Sequence, residues 1–259
     1  DRAEQAVAVG LLAELERLMK ETGYGDKPIP QGPIALGIAR RKAAAEGKSD
    51  SEIQERGPIL SLDFRAAKGD TVVDSSGHKI KAALGKTEIV PGRSGSALRF
   101  DGEAFVSVGK SKALDPSYSV WAVEAVVRAE GDGVILAHGG EQRGYALYVE
   151  GGKPRFAVKE LKKIRVAAGG ESIAGRWVRL VGTFDEREIR LYVDGTLAGK
   201  IPTVSLFVDS INDTPSIGRD MGGPLDARIS PKGFHGLIES VRLESRRLSE
   251  SDIRAKGKP

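Results

Sequence analysis

The chain has 259 residues, 40% apolar and 29% charged, the balance of a globular protein with room for a sizeable core. It has no Cys, which excludes disulfides, thiolate metal sites and a Cys nucleophile. Forty Lys and Arg stand among 36 Asp and Glu, so the net charge of +4 reads as ordinary surface charge and not as a nucleic-acid footprint. No apolar run is long enough to span a bilayer as a helix, and no signal peptide is present. A first residue Asp1 in place of Met reads as a processed protein or a piece of a longer one.

Residues 1–22 predict an amphipathic helix, with Ala3, Val7, Leu11, Leu15 and Leu18 at helical spacing and Gly23 and Gly25 ending it. The Gly- and Pro-rich residues 23–35 predict a connector. Residues 36–46 predict a short helix whose Arg40, Arg41 and Lys42 form a solvated basic face. Ser49 and Glu52 have the spacing of a helix start, and Gly57-Pro58 breaks the chain. The expected division is therefore 1–57, a helical segment with linker, and 58–259, a β domain.

From Ile59 onward short strand-like runs alternate with turn clusters. Strands are predicted at 59–64, 97–100, 104–108, 118–128, 133–138, 144–149, 155–158, 216–218 and 234–243. Between them lies the most regular stretch, Trp177 to Gly195. Val178, Leu180, Gly182 and Phe184 alternate with polar residues, then Ile189, Leu191 and Val193 do the same. Asp185-Glu186-Arg187 is the corner between these two strands, and Asp194-Gly195 a tight turn after them. One face of this hairpin belongs to the core. The other carries Arg179, Thr183, Arg190 and Tyr192, placed to line a groove or to meet solvent. Ser249 and Asp252 predict a short closing helix. About a dozen strands without crossover helices predict antiparallel sheets. A mainly β, two-sheet jelly-roll sandwich is the expected fold.

Seven motifs in order carry a resemblance over residues 58–259. They are Leu62-Asp63-Phe64, Val73 to Gly77, Gly95 to Gly102, Val123 to Arg128, Trp177 to Gly195, Gly236 to Leu243, and Leu248 to Ile253. In this order they resemble the laminin-G-like, concanavalin A-like lectin/glucanase jelly-roll domains of bacterial extracellular proteins. The corner at residues 185–188 lacks the Gly usual in that family, and Glu239 stands where Asp is common. The resemblance implies a structural Ca2+, and Asp63, Asp74 and Glu239 are the residues it would assign to that ion, an oxygen-seeking cation. Residues 1–23, ending Leu18-Met19-Lys20-Glu21-Thr22-Gly23, resemble the C-terminal tail of a bacterial arylsulfatase. That resemblance implies an upstream domain of the same polypeptide.

Catalysis finds little support in the sequence. Laminarinase-type jelly rolls carry an E-x-D-x-x-E strand. Here Glu124 and Glu130 lack the middle Asp, and six residues of extended strand separate them by far more than the ~5 Å that a retaining pair needs. His78, His138 and His235 show no short metal-binding spacing, and no G-x-S-x-G occurs. The expected role is that of a non-catalytic module binding a glycan or protein, extracellular or periplasmic, in a larger protein. The alternatives are a structural accessory domain and a glycoside hydrolase of unrecognised site. Candidate ligand-binding residues at strand ends and loops are His138, Arg143, Tyr145, Arg155, Arg219, Asp220 and Asp226. Among them Arg143, Arg155 and Arg219 suit a sulfated or uronic glycan.

Overall fold

A computed structural model describes Arg17 and residues 57–255, except 68, 118, 161, 186, 204–206, 208–209, 224 and 226–232. The fold lies in the unit Glu55–Pro259. The elements and the arylsulfatase-like tail expected in residues 1–56 lie outside the described residues, except that Arg17 is helical and exposed.

The described strands, in chain order, are β1 (Gly57–Asp63), β2 (Thr71–Val73), β3 (Lys81–Gly85), β4 (Glu88–Pro91), β5 (Ser96–Asp101), β6 (Phe105–Val108), β7 (Trp121–Ala129) and β8 (Gly133–Gly139). There follow β9 (Gly144–Glu150), β10 (Lys153–Glu160), β11 (Lys163–Ala168), β12 (Trp177–Phe184), β13 (Glu188–Val193), β14 (Thr196–Pro202), β15 (Ser216–Ile217), β16 (His235–Ser245) and a helix α1 (Glu250–Ala255). They form two antiparallel sheets. One runs β14-β13-β12-β7-β16-β5-β4, with β1 also paired to β16; the other runs β11-β10-β9-β8-β15-β6-β3-β2. The inner faces pack as a sandwich around Phe64, Phe100, Phe156, Phe184, Phe207 and Phe234, all buried.

Five strands escaped the sequence reading: β2, β3, β4, β11 and β14. Four of them lie at sheet ends, and β3 is next to one. Such strands keep one edge or face in water, so their residues do not show the clean apolar alternation of a buried face. The edges β11 and β14 close on each other: a Cβ at Gly199 would run into the Ala168 carbonyl.

Two bulges set side-chain directions. In β16 the register shifts between Ile238 and Ser240. Ile238 before the shift and Val241 and Leu243 after it all face the core, although the parity changes. The strand also changes neighbour there, from β5 at residues 235–238 to β1 at residues 240–245. In β8 the register shifts between Val134 and Leu136. Val134 and Ala137 then lie on the outer face, and Leu136 on the inner one. His138 follows Leu136 onto the inner face, opposite Tyr145 on β9.

The Trp177–Gly195 hairpin forms as its alternation predicts, with Val178, Leu180, Phe184, Ile189 and Leu191 in the core. Gly182 is small because the Phe156 ring lies over it, 2.6 Å from where a Cβ would sit. Asp194 and Gly195 take φ of 50° and 80°, two left-handed residues as a type I′ turn requires. At the corner, the Asp185 carboxylate accepts from the N–H groups of Arg187 and Glu188 at 2.8 and 2.7 Å. This side-chain turn does the work of the missing Gly. The outer face divides the expectation: Arg179 and Thr183 are buried, whereas Arg190 and Tyr192 line a groove together with residues of β14 and α1. The C-terminal segment folds over it, with Ile253 and Leu248 packed against Val181 and Tyr192. Arg179 donates to the Ile253 carbonyl at 2.7 Å and to Glu124 at 2.9 Å. Arg190 pairs with Asp185 and Glu188 at 2.9 and 2.8 Å.

Candidate functional site

The inner face of β8 and β9 reaches one end of the sandwich in a layer of rings. Trp121 packs on Tyr145, Phe184 and Phe207, with ring centroids 4.1, 4.9 and 5.8 Å away. At the end of this layer opens a cleft of about 690 Å³. One wall comes from the β6–β7 connection, with Lys110, Ser111, Lys112, Asp115 and Ser117. The other comes from the segment before β15, with Ser210, Asn212, Asp213 and Thr214. His138, buried, forms the floor.

His138 has both ring nitrogens engaged. Nε2 lies 3.2 Å from the Asp213 carbonyl, which can only accept, so Nε2 carries the proton. Nδ1 lies 3.2 Å from the Tyr145 hydroxyl, which then donates to it. Burial pushes the imidazole pKa down, against the opposing pull of the Asp213 and Asp115 charges. Burial also pushes the Tyr145 hydroxyl up, so it stays a neutral donor. A neutral histidine with two committed nitrogens is an anchor and not a proton shuttle. What it anchors is the Asp213 wall, which is further tied by the Gly139 N–H donating to the Asp213 carboxylate at 3.1 Å. The facing wall is tied across the cleft: Ser210 donates to the Asp115 carboxylate at 2.6 Å, and the Ser117 N–H donates to its other oxygen at 3.0 Å.

Of the residues singled out in the sequence, His138 and Tyr145 meet at this floor. Asp220 stands near it: burial raises its pKa, the N–H groups of Leu225 and Gly222 oppose this, and the Asp213 charge adds to the rise. The three arginines are not gathered. Arg143 pairs with buried Glu160 at 3.5 Å, Arg155 with Glu150 at 3.4 Å, and Arg219 with Glu103 at 3.0 Å. Asp226 lies outside the described residues. Asp115, Asp213, Lys110 and Lys112 were missed by sequence reasoning, because each sits in an irregular connection and meets its neighbours only through the fold. The acids Glu124 and Glu130 are held by Arg179 and Arg99 at 2.9 and 3.2 Å.

The calcium reading fares differently. The three acids do come from one neighbourhood, since Asp63 pairs opposite Ser240 and Leu62 bridges to Asp74. Their oxygens face N–H donors instead of a common centre. Asp63 takes Arg65 at 2.6 and 2.8 Å, and this side-chain bond, against some burial, holds its pKa low. Asp74 takes the N–H groups of Ser61, Ser76 and Ile80 at 2.9, 2.9 and 3.0 Å; burial alone would raise its pKa, and these bonds outweigh it and hold it low. Glu239, aimed by the β16 bulge, accepts from the N–H groups of Arg93 and Ser94. In this arrangement the three carboxylates are turned toward hydrogen-bond donors, and among the described residues no three His, Cys, Asp or Glu are arranged to hold a metal ion. Among the described residues, no helix is long and apolar enough to cross a membrane.

Comparison with known proteins agrees on the fold. The family model described as the concanavalin A-like lectin/glucanases superfamily matches residues 101–254. No curated protein matches the sequence. Among solved structures, the binding domain of Paraclostridial Mosquitocidal Protein 1 superposes with a TM-score of 0.63 at 16% identity, over 77% of this chain and 51% of that one. Domain 4 of AbnA, a GH43 extracellular arabinanase from Geobacillus stearothermophilus solved with arabinotriose, superposes at 0.59 and 15% identity, over 79% of this chain and 100% of that one. The binding domain of botulinum neurotoxin DC, solved with rat synaptotagmin II, superposes at 0.59 and 14% identity, over 77% and 50%. The chain thus spans about half the length of the two toxin domains, and at these identities the likeness is one of fold.

Proposed function

The chain belongs to the concanavalin A-like lectin/glucanases superfamily, and from that premise we propose that its sandwich is a non-catalytic binding module of a larger extracellular protein, taking a carbohydrate in the end cleft. The observation that carries this reading is the lining. Hydroxyls of Ser111, Ser117, Ser210 and Thr214, the Asn212 amide and the Asp115 and Asp213 carboxylates converge in one concave site on a pre-tied floor. Such a set matches the alternating donors and acceptors of a sugar's hydroxyls. Rigid walls lower the ordering cost of binding. The rings of Trp121, Tyr145 and Phe207 lie buried behind the cleft, so polar contacts and not ring stacking would dominate. The engagement of both His138 nitrogens within the protein supports a binding role for this floor.

A protein ligand is the second reading, favoured by the synaptotagmin complex of a domain with the same fold. The test is a glycan array followed by calorimetry on the full chain, with Asp213→Ala as the comparison. Carbohydrate binding that Asp213→Ala weakens by about tenfold or more, roughly 1.4 kcal/mol, supports the reading. Binding of no glycan overturns it, as does release of shortened oligosaccharide products, which would make the domain an enzyme.

A further inference from the structure

Building on the reading of the cleft as a glycan site, we infer that its glycan carries an oxyanion, a uronate carboxylate or a sulfate ester, held by Lys110 and Lys112. The cleft is polarised. Its carboxylates are engaged within the protein: Asp115 by Ser210 and Ser117, and Asp213 by Gly139 with His138 alongside at 3.5 Å. Its two lysines are exposed at the rim, and among the described residues neither has a carboxylate within ion-pair distance. Exposed lysines elsewhere, such as Lys79, Lys81, Lys86, Lys153 and Lys163, do not line this concave site, and the comparison that matters is with the other groove. The second groove, over β13, β14 and α1, also holds cations, but there Arg190 and Lys200 pair with Glu188, and Arg254 with Glu250. The arginines of the β9–β10 region and of the β15 loop are likewise paired.

Two ammonium groups two residues apart, on the rim of a site whose acids are already hydrogen-bonded, form an anion clamp of the point-charge kind. The polarity also fixes an orientation. Sugar hydroxyls go to the Asp213 and Asn212 side, and the oxyanion to the Lys110 and Lys112 rim, where the Asp115 carboxylate is already hydrogen-bonded by Ser210 and Ser117.

The experiment compares matched pairs on the full chain: oligogalacturonate against its methyl-esterified form, and a sulfated oligosaccharide against the same backbone desulfated. Each is titrated at low and high NaCl, with wild type and with a Lys110→Gln, Lys112→Gln variant. The expected result is that an acidic form binds about tenfold tighter than its neutral partner at low salt. That margin shrinks as salt rises from about 0.05 to 0.5 M, through screening. The Gln variant should lose the margin, binding the acidic and neutral members of each pair alike. The acidic form that shows the margin identifies carboxylate or sulfate. Equal binding of both members of each pair, or a margin that survives the Gln variant, overturns the inference while leaving the glycan reading in place. Binding of no member overturns the glycan reading itself. Because both lysines are exposed, the variant is expected to fold, and an unchanged thermal midpoint verifies it.

Discussion

Arg179 gives the sharpest test of how the outer hairpin face is closed. It is 3% exposed and ties three elements: its own strand β12, Glu124 on β7, and the Ile253 carbonyl of α1. Arg179→Met keeps much of the volume and removes every side-chain donor, leaving the backbone N–H on Asp194. The Glu124 carboxylate, whose side chain is 14% exposed, and the Ile253 carbonyl then lose that partner. Breaking one side of a buried ion pair costs about 3–5 kcal/mol, and the residual exposure of Glu124 puts the expected loss near the lower end, about 3 kcal/mol. Adding Glu124→Leu removes the carboxylate that lost this partner and should recover part of that loss. Urea unfolding of the two single variants and the double variant gives the cycle. Hydrogen exchange supplies an independent readout, since residues 248–255 should exchange faster in Arg179→Met while β7 and β12 stay protected. A loss below about 1 kcal/mol, with residues 248–255 as protected as in wild type, would refute Arg179 as the anchor of the C-terminal helix.

Three further outcomes follow from the same contacts. Asp74→Ala strands the N–H groups of Ser61, Ser76 and buried Ile80, and should cost about 2–4 kcal/mol by urea unfolding, with Asp74→Asn losing less. His138 has a folded pKa below its unfolded value of about 6.5, so the unfolded chain binds more protons just below that pH. Its contribution is therefore complete above about pH 6.5 and is lost as pH falls from there through the depressed folded value, at no more than about 1.4 kcal/mol per pH unit; His138→Gln should flatten that part of the stability profile. Gly199→Ala drives a methyl into the Ala168 carbonyl at the seam of β11 and β14, and should lower the thermal midpoint by several degrees, as about 1 kcal/mol or more does in a domain of this size.

The legible parts of the sequence were those where one face repeats. The hairpin read correctly because Val178, Leu180 and Phe184 answer Ile189 and Leu191 across one buried face. The long β7 read correctly because Val123, Ala125 and Val127 do the same. Edge strands such as Lys163–Ala168 and Thr196–Pro202 hid because water on one side removes the need for strict alternation. The burial of Arg179 and Thr183 on the outer hairpin face was not legible, because its cover, α1, is short and arrives from about 60 residues downstream, a contact that no local pattern announces. The same limit divides the site. His138 and Tyr145 stand out as polar groups in apolar strands, whereas Asp115 and Asp213 lie 98 positions apart in irregular chain, Asp115 bonded to Ser210 and Asp213 to His138. Asp63, Asp74 and Glu239 were placed in the right neighbourhood, but the bulge at Glu239 and the turn at Asp74 point their oxygens at backbone N–H groups. A period-2 reading of the sequence contains neither feature.

The most direct measurement is an amide chemical-shift titration of the 15N-labelled chain with the tightest-binding oligosaccharide from the array. Shifts should concentrate at residues 110–117 and 210–214 and at the Gly139 amide, with little change along β13 and β14. Shifts gathered instead on the Arg155 and Lys159 face of β10, or around Tyr192 and Lys200, would contradict the assignment of the end cleft as the binding site.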